Sequence, residues 1–111
     1  MQIYERTVGD VTIFDLEGRL ILDDGFEPLR VALNRVIGVG QRKLLLNLAG
    51  VAFLDSAGLG LLVCKFVTLC RLNGHLKLCN LHSHSHEVLR TTKLLTVFET
   101  FESEADALAS F

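Results

Sequence analysis

Proline occurs once in the 111 residues, cysteine three times, and lysine and arginine nowhere gather into a run. Each shortage closes off a class of protein. With no basic run and a formal net charge of -2, nucleic-acid binding has little support. Cys64, Cys70 and Cys79 are odd in number and lack C-x-x-C spacing, so a disulfide or zinc framework is a poor fit and buried cytosolic thiols a better one. No linker, low-complexity tract or internal repeat interrupts the chain. Met1-Gln2-Ile3-Tyr4-Glu5-Arg6 has no signal-peptide apolar region. Only 22% of residues are charged and 50% are hydrophobic, which excludes a disordered chain. The expectation is one domain over residues 1–111, large enough to bury a core without staples.

One window deserves a membrane test. Val51 to Cys70 is mostly apolar, but it carries Asp55 and Lys65. Each costs roughly 2.5–3.5 kcal/mol near a bilayer centre. A strand and turn followed by a buried helix is cheaper, so the expected protein is soluble and cytoplasmic, with no membrane association.

Ile3–Val8 and Val11–Glu17 read as strands joined by Gly9-Asp10, a two-residue hairpin signal, with Gly18 ending the second. After the acidic loop Asp23-Asp24-Gly25, Pro28 suits the first turn of a helix in which Leu29, Leu33, Val36 and Ile37 recur at helical spacing. Gly38 and Gly40 close it. Lys43–Leu48 is apolar on both alternating faces apart from Asn47, as a covered central strand would be. Ala57–Leu72 reads as the second helix, with Lys65, Thr68 and Arg71 on an outward stripe and Gly58 and Leu61 on the side of Lys65. Its first turn is therefore expected to be apolar and exposed.

His75–Leu81 alternates as a strand should. Ser83 can cap a short helix to about Thr91, a last strand includes Thr96-Val97-Phe98, and Ser103 begins a capping-box-like start for a helix over Glu104–Ser110. Helices alternate with strands from residue 26 onward. The pattern predicts an α/β domain with a mixed, mostly parallel sheet of about 4–5 strands, an N-terminal β-hairpin and about 4 helices packed mainly on one side.

The chain is organised around Val51-Ala52-Phe53-Leu54-Asp55-Ser56-Ala57-Gly58-Leu59-Gly60-Leu61-Leu62. An extended apolar run breaks on Asp-Ser and re-enters an apolar run through two glycines. Asp55 and Ser56 thus stand where a helix begins, able to accept hydrogen bonds from its free N–H groups and tolerant of negative charge. Ser56 is either a simple N-cap or a hydroxyl with a further use. Asp55 is either a loop-stabilising acceptor or part of a recognition surface. Asp23 and Asp24 are a solvated loop or partner contacts flanking the serine.

Gly58 and Gly60 are not a phosphate-binding loop, since no G-x-x-x-x-G-K-[ST] string exists. A nucleophile elbow is absent because Leu54 stands where G-x-S-x-G needs glycine. His82 and His86 are four apart, but His82 should precede the helix and only Glu87 stands near enough to help, so no metal site is assigned. No nucleophile–base pair is visible, and neither an enzyme nor a cofactor is expected.

The string Leu48 to Gly60, with Gly18-Arg19-Leu20 ahead of the first helix and Thr92-Lys93-Leu94-Leu95-Thr96-Val97-Phe98 near the end, resembles STAS domains, the sulfate-transporter and anti-sigma-factor-antagonist family. Chain length makes it look like the stand-alone bacterial antagonist. That resemblance implies a regulatory protein whose Ser56 is phosphorylated by an anti-sigma factor serine kinase and restored by a metal-dependent serine phosphatase. The unphosphorylated form would bind the anti-sigma factor. The partner surface so implied comprises Asp23, Asp24, Asp55, Ser56, Ala57, Gly58, Leu59, Leu61 and Lys65, and exposed apolar residues around Leu61 would permit a weak homodimer. Ala57 replaces a second serine often found at this motif, and the His82–His86 stretch is not a family feature. A scaffold in a non-sigma signalling pathway and a small-ligand-binding module are the alternatives.

Overall fold

The computed structural model describes all residues, Met1 to Phe111. The hairpin forms as expected. β1 (Gln2–Val8) pairs antiparallel with β2 (Val11–Leu20), Val8 opposite Val11, and Gly9 takes the positive φ of +60° that the tight link requires. β2 does not end at Gly18. At φ +132° this glycine absorbs a register shift against β3, and the strand runs on until Leu20 lies beside Leu54.

The remaining elements are α1 (Phe26–Gly38), β3 (Lys43–Leu54), α2 (Ser56–Arg71), β4 (His75–Cys79), α3 (Ser83–Thr91), β5 (Glu99–Phe101) and α4 (Glu104–Ala109). The strands stand side by side in sequence order, β1 antiparallel and the rest parallel. Three strand–helix–strand crossovers advancing in one direction with a common hand put their helices on one face. Side-chain alternation then divides the sheet. Phe14 and Leu16, Leu44, Leu46 and Leu48, and Leu76 and Leu78 form the main core with Leu29 and Leu33 of α1, Leu62 and Leu69 of α2 and Leu89 of α3. On the opposite face Val11, Ile13, Leu45 and Cys79 meet Ala107 of α4.

Three further boundaries differ from expectation. β3 is one continuous strand, through Ala49-Gly50 to Leu54. β4 stops at Cys79 because Asn80 adopts φ +58°. The last strand lies at Glu99–Phe101 instead of including Thr96–Phe98, since Thr96 and Val97 form a turn that drops Phe98 into the core, 5.2 Å from the Phe66 ring. Two of the three cysteines also differ: Cys64 and Cys70 are exposed and only Cys79 is buried. No helix is long and apolar enough to cross a membrane.

Candidate functional site

The end of β2, the end of β3 and the start of α2 converge on one aspartate. Asp55 lies in extended backbone at the N-cap of α2, and its Oδ1 accepts the Gly58 N–H at 2.8 Å. Its Oδ2 accepts the Leu22 N–H at 3.0 Å, while its own N–H donates to the Leu20 carbonyl at 3.3 Å. Asp55 therefore ties the loop after β2 to the first turn of α2. The Gly58 N–H, followed by that of Leu22, holds its carboxyl below the usual range despite some desolvation.

The cap, which the sequence leaves open between Asp55 and Ser56, is thus Asp55. Ser56 is the first residue of α2 and is exposed, with a hydroxyl that no cap requires. Ser56 therefore presents an accessible hydroxyl on the first turn of a helix that its neighbour caps. Local sequence could not separate the two roles, because both residue types cap well.

Gly58 and Leu61 do not face solvent as expected. A Cβ on Gly58 would lie 2.1 Å from the Leu20 carbonyl oxygen, so the bulge at Gly18 and the glycine at 58 are matched features: one delivers Leu20, the other leaves room for it. Leu61 is 4% exposed and packs in the main core, which Leu59 also touches. Leu61 itself therefore adds almost nothing to the exposed surface. Instead Leu61 forms the floor of a groove of about 370 Å³ between α1 and α2. Ser56, Ala57, Gly60, Cys64 and Lys65 line it from α2, and Phe26 and Arg30 from α1. Lys65 Nζ crosses to Asn34 Oδ1, and Arg30 Nε donates to Glu27 Oε2 at 2.8 Å.

Asp23 and Asp24 diverge. Asp24 is half-buried and accepts the Arg19 N–H at 3.3 Å and the Met1 amino group at 2.5 Å, whereas Asp23 is exposed. Their loop is joined to α2 through Leu22 and Asp55, which places it beside the serine's turn. The groove residues missed from sequence are Phe26, Arg30, Gly60 and Cys64. Phe26 and Arg30 join only because α1 packs on α2, a contact that no local pattern encodes. Exposed Leu22 and Phe53, 61% and 55% accessible, stand on the segments that lead into and out of this junction.

The histidines separate. His82 is the residue before α3 and contacts the Ala49 carbonyl, while the His84 ring lies 4.7 Å from Phe53. No group of three or more His, Cys, Asp or Glu is disposed to hold a metal ion. A wider polar depression, about 680 Å³, lies at the start of α3 beside the end of β5 and includes no residue of α2.

Residues 3–107 match the model of the STAS domain. BtrV of Bordetella bronchiseptica, named provisionally as an anti-sigma factor antagonist, is 31% identical over 85 residues, covering 77% of this chain and 73% of its own. An anti-sigma factor antagonist from Mycobacterium paratuberculosis superposes with a TM-score of 0.89 at 19% identity, over 98% of this chain and 92% of that one. The anti-sigma factor antagonist SpoIIAA in its unphosphorylated form gives 0.81 at 21% identity, over 96% of this chain and 93% of that one. The phosphorylated form of SpoIIAA, a Bacillus cell fate determinant, gives 0.77 at 21% identity, over 98% of both chains. The five-stranded sheet, antiparallel at β1 and parallel from β2 on, superposes on these solved structures, and with the family model spanning residues 3–107 the chain belongs to the STAS-domain family.

Proposed function

We propose that the protein is a cytoplasmic anti-sigma factor antagonist whose binding to an anti-sigma factor serine kinase is switched at Ser56. The observation that carries this reading is the division of labour at the start of α2. Asp55 caps the helix, and Ser56 is exposed on its first turn with a hydroxyl free of capping duty. Similarity to BtrV and to both solved forms of SpoIIAA supports the same reading.

In the proposed step the Ser56 oxygen bonds to the γ-phosphorus of ATP as the bond to ADP breaks. The hydroxyl proton passes to a base of the kinase, and the chain itself catalyses nothing. A metal-dependent serine phosphatase would reverse the modification by hydrolysis. Unmodified, the rim of the groove at Ser56, Ala57 and Lys65, together with Asp23 on the adjoining loop, forms the docking surface. Gly58, Leu59 and Leu61 support it from beneath, while Asp24 and Asp55 hold the loop in place.

Phosphorylation adds about -1.5 to -2 charges at this rim. Burying that charge in an interface without a cationic partner costs several kcal/mol, and about 1.4 kcal/mol already lowers affinity tenfold. Electrostatics and desolvation suffice, with no refolding.

The test is a binding titration of wild type, Ser56→Ala and Ser56→Asp against candidate anti-sigma kinases, with intact mass measured after adding ATP. Wild type and Ser56→Ala should bind, Ser56→Asp should bind at least about tenfold more weakly, and only wild type should gain one phosphate. Equal binding by all three, with no phosphate gained, would leave the serine without a switching role.

A further inference from the structure

We propose that the groove between α1 and α2 is an intramolecular phosphate-receiving site: once Ser56 is phosphorylated, Arg30 of α1 exchanges Glu27 for the phosphate, and Lys65 of α2 contributes a second positive charge. This rests on the reading of Ser56 as the modified residue.

The start of α2 does not offer an empty anion site. Asp55 already accepts the Gly58 N–H, and its carboxylate stands next to Ser56 in the chain. A phosphate on Ser56 meets one fixed negative charge beside it and must find its compensation elsewhere. The groove that Ser56 lines supplies two cations from two helices, Arg30 and Lys65.

Both are disposed to change partners. Arg30 is paired with Glu27 three residues earlier, and the two side chains are 40% and 59% accessible. An exposed pair of that kind is weakly held. A phosphate dianion offers a guanidinium more charge and three oxygens in a geometry suited to its fork of N–H groups. Lys65 donates to the neutral amide oxygen of Asn34, which leaves its charge uncompensated at that contact. Gly60 adds space, since a Cβ built there has nothing within 4 Å. The phosphate would thus occupy the groove as well as charge its rim, removing from a partner both the cavity and the two cations beside it.

The measurement uses the full chain with phosphoserine installed at position 56 during translation, so no kinase is involved. Phosphorus NMR follows the second ionisation of the phosphate, ordinarily near pH 6. Glu27 and Asp55 are both held below the usual carboxylate range, by Arg30 and by the Gly58 N–H, and stay charged throughout the titration.

The midpoint should lie about half a pH unit or more lower in the wild-type chain than in Arg30→Gln, roughly a threefold change in proton affinity. Lys65→Gln should move it in the same direction by less. The bare helix start is common to all three proteins and cancels. Equal midpoints in wild type and Arg30→Gln, each folded by its amide NMR spectrum, overturn the receiving site whatever any kinase does. A Ser56 that no anti-sigma kinase modifies overturns the reading of the serine instead, and the two failures are distinct.

Discussion

Gly58 and Gly60 lie two residues apart on α2 and meet opposite surroundings. A methyl group at Gly58 would press on the Leu20 carbonyl, backbone that cannot swing aside, whereas at Gly60 it would enter open space. Gly60→Ala should therefore stabilise the fold by about 0.5–1 kcal/mol through helix propensity alone. Gly58→Ala gains the same propensity and should still lose about 1–3 kcal/mol to the clash. Urea denaturation of the pair reads both signs. The same experiment separates Asp55 from Ser56. Asp55→Ala removes the acceptor for the Gly58 and Leu22 N–H groups and should cost about 1–2 kcal/mol, while Ser56→Ala should change stability by less than about 0.5 kcal/mol. A larger loss at Ser56 than at Asp55 would reverse the assignment of the cap.

At the scale of elements, α2 shows what periodicity can and cannot tell. Its length was legible to within a residue at each end, because a capping residue opens it and Asn73-Gly74 closes it. Its orientation was not, since an apolar residue falls on nearly every side and the stripe of Lys65, Thr68 and Arg71 is the only guide. That stripe misassigned Gly58 and Leu61, because the end of β2 and α1 close over the first turns and leave the later ones open. The same ambiguity hid Cys64 and Cys70. A thiol reagent should modify these two in the folded protein and reach Cys79 only on unfolding. Burial excludes the reagent from Cys79 and pushes its thiol up to about 11. Three thiols reacting at one rate under native conditions would contradict the packing of α4 over the sheet. Asp55, Ser56 and Lys65 could be found from one stretch of sequence, whereas Arg30, on the preceding helix with all of β3 in between, needed the helix pairing.

For the molecule as a whole, carboxylates tie β1, β2, β3 and α4 together. Arg6 on the edge strand β1 donates to Asp15 of β2 at 2.6 Å and also pairs with Glu104 of α4, and Asn47 of β3 donates to Asp15 at 2.8 Å. The Arg6 guanidinium is the largest influence holding Asp15 below its ordinary range; burial opposes it and Asn47 assists. Asp10 is lowered by Lys43, Glu27 by Arg30 and Glu87 by Arg90 on the surface, and Asp55 by backbone N–H groups. A carboxyl lowered by folding contributes stability that is fully present above its unfolded value, about 3.9–4.3, and is lost as pH falls through the folded one. The melting temperature should accordingly change little as pH falls from 7 to about 5 on account of these groups, then drop steeply below about 4. The exposed pairs are weak and screened by salt, so most of the drop should belong to Asp15, to Asp55 and to Asp24, which the Met1 amino group lowers in the same sense. Asp15→Asn should melt lower than wild type at pH 7 and lose less on acidification, and the two curves should converge near pH 2. Thermal melts over that range at low and high salt read both effects. Parallel curves for the two proteins would show that the link from β1 through β2 to α4 is held by packing, with the charges incidental.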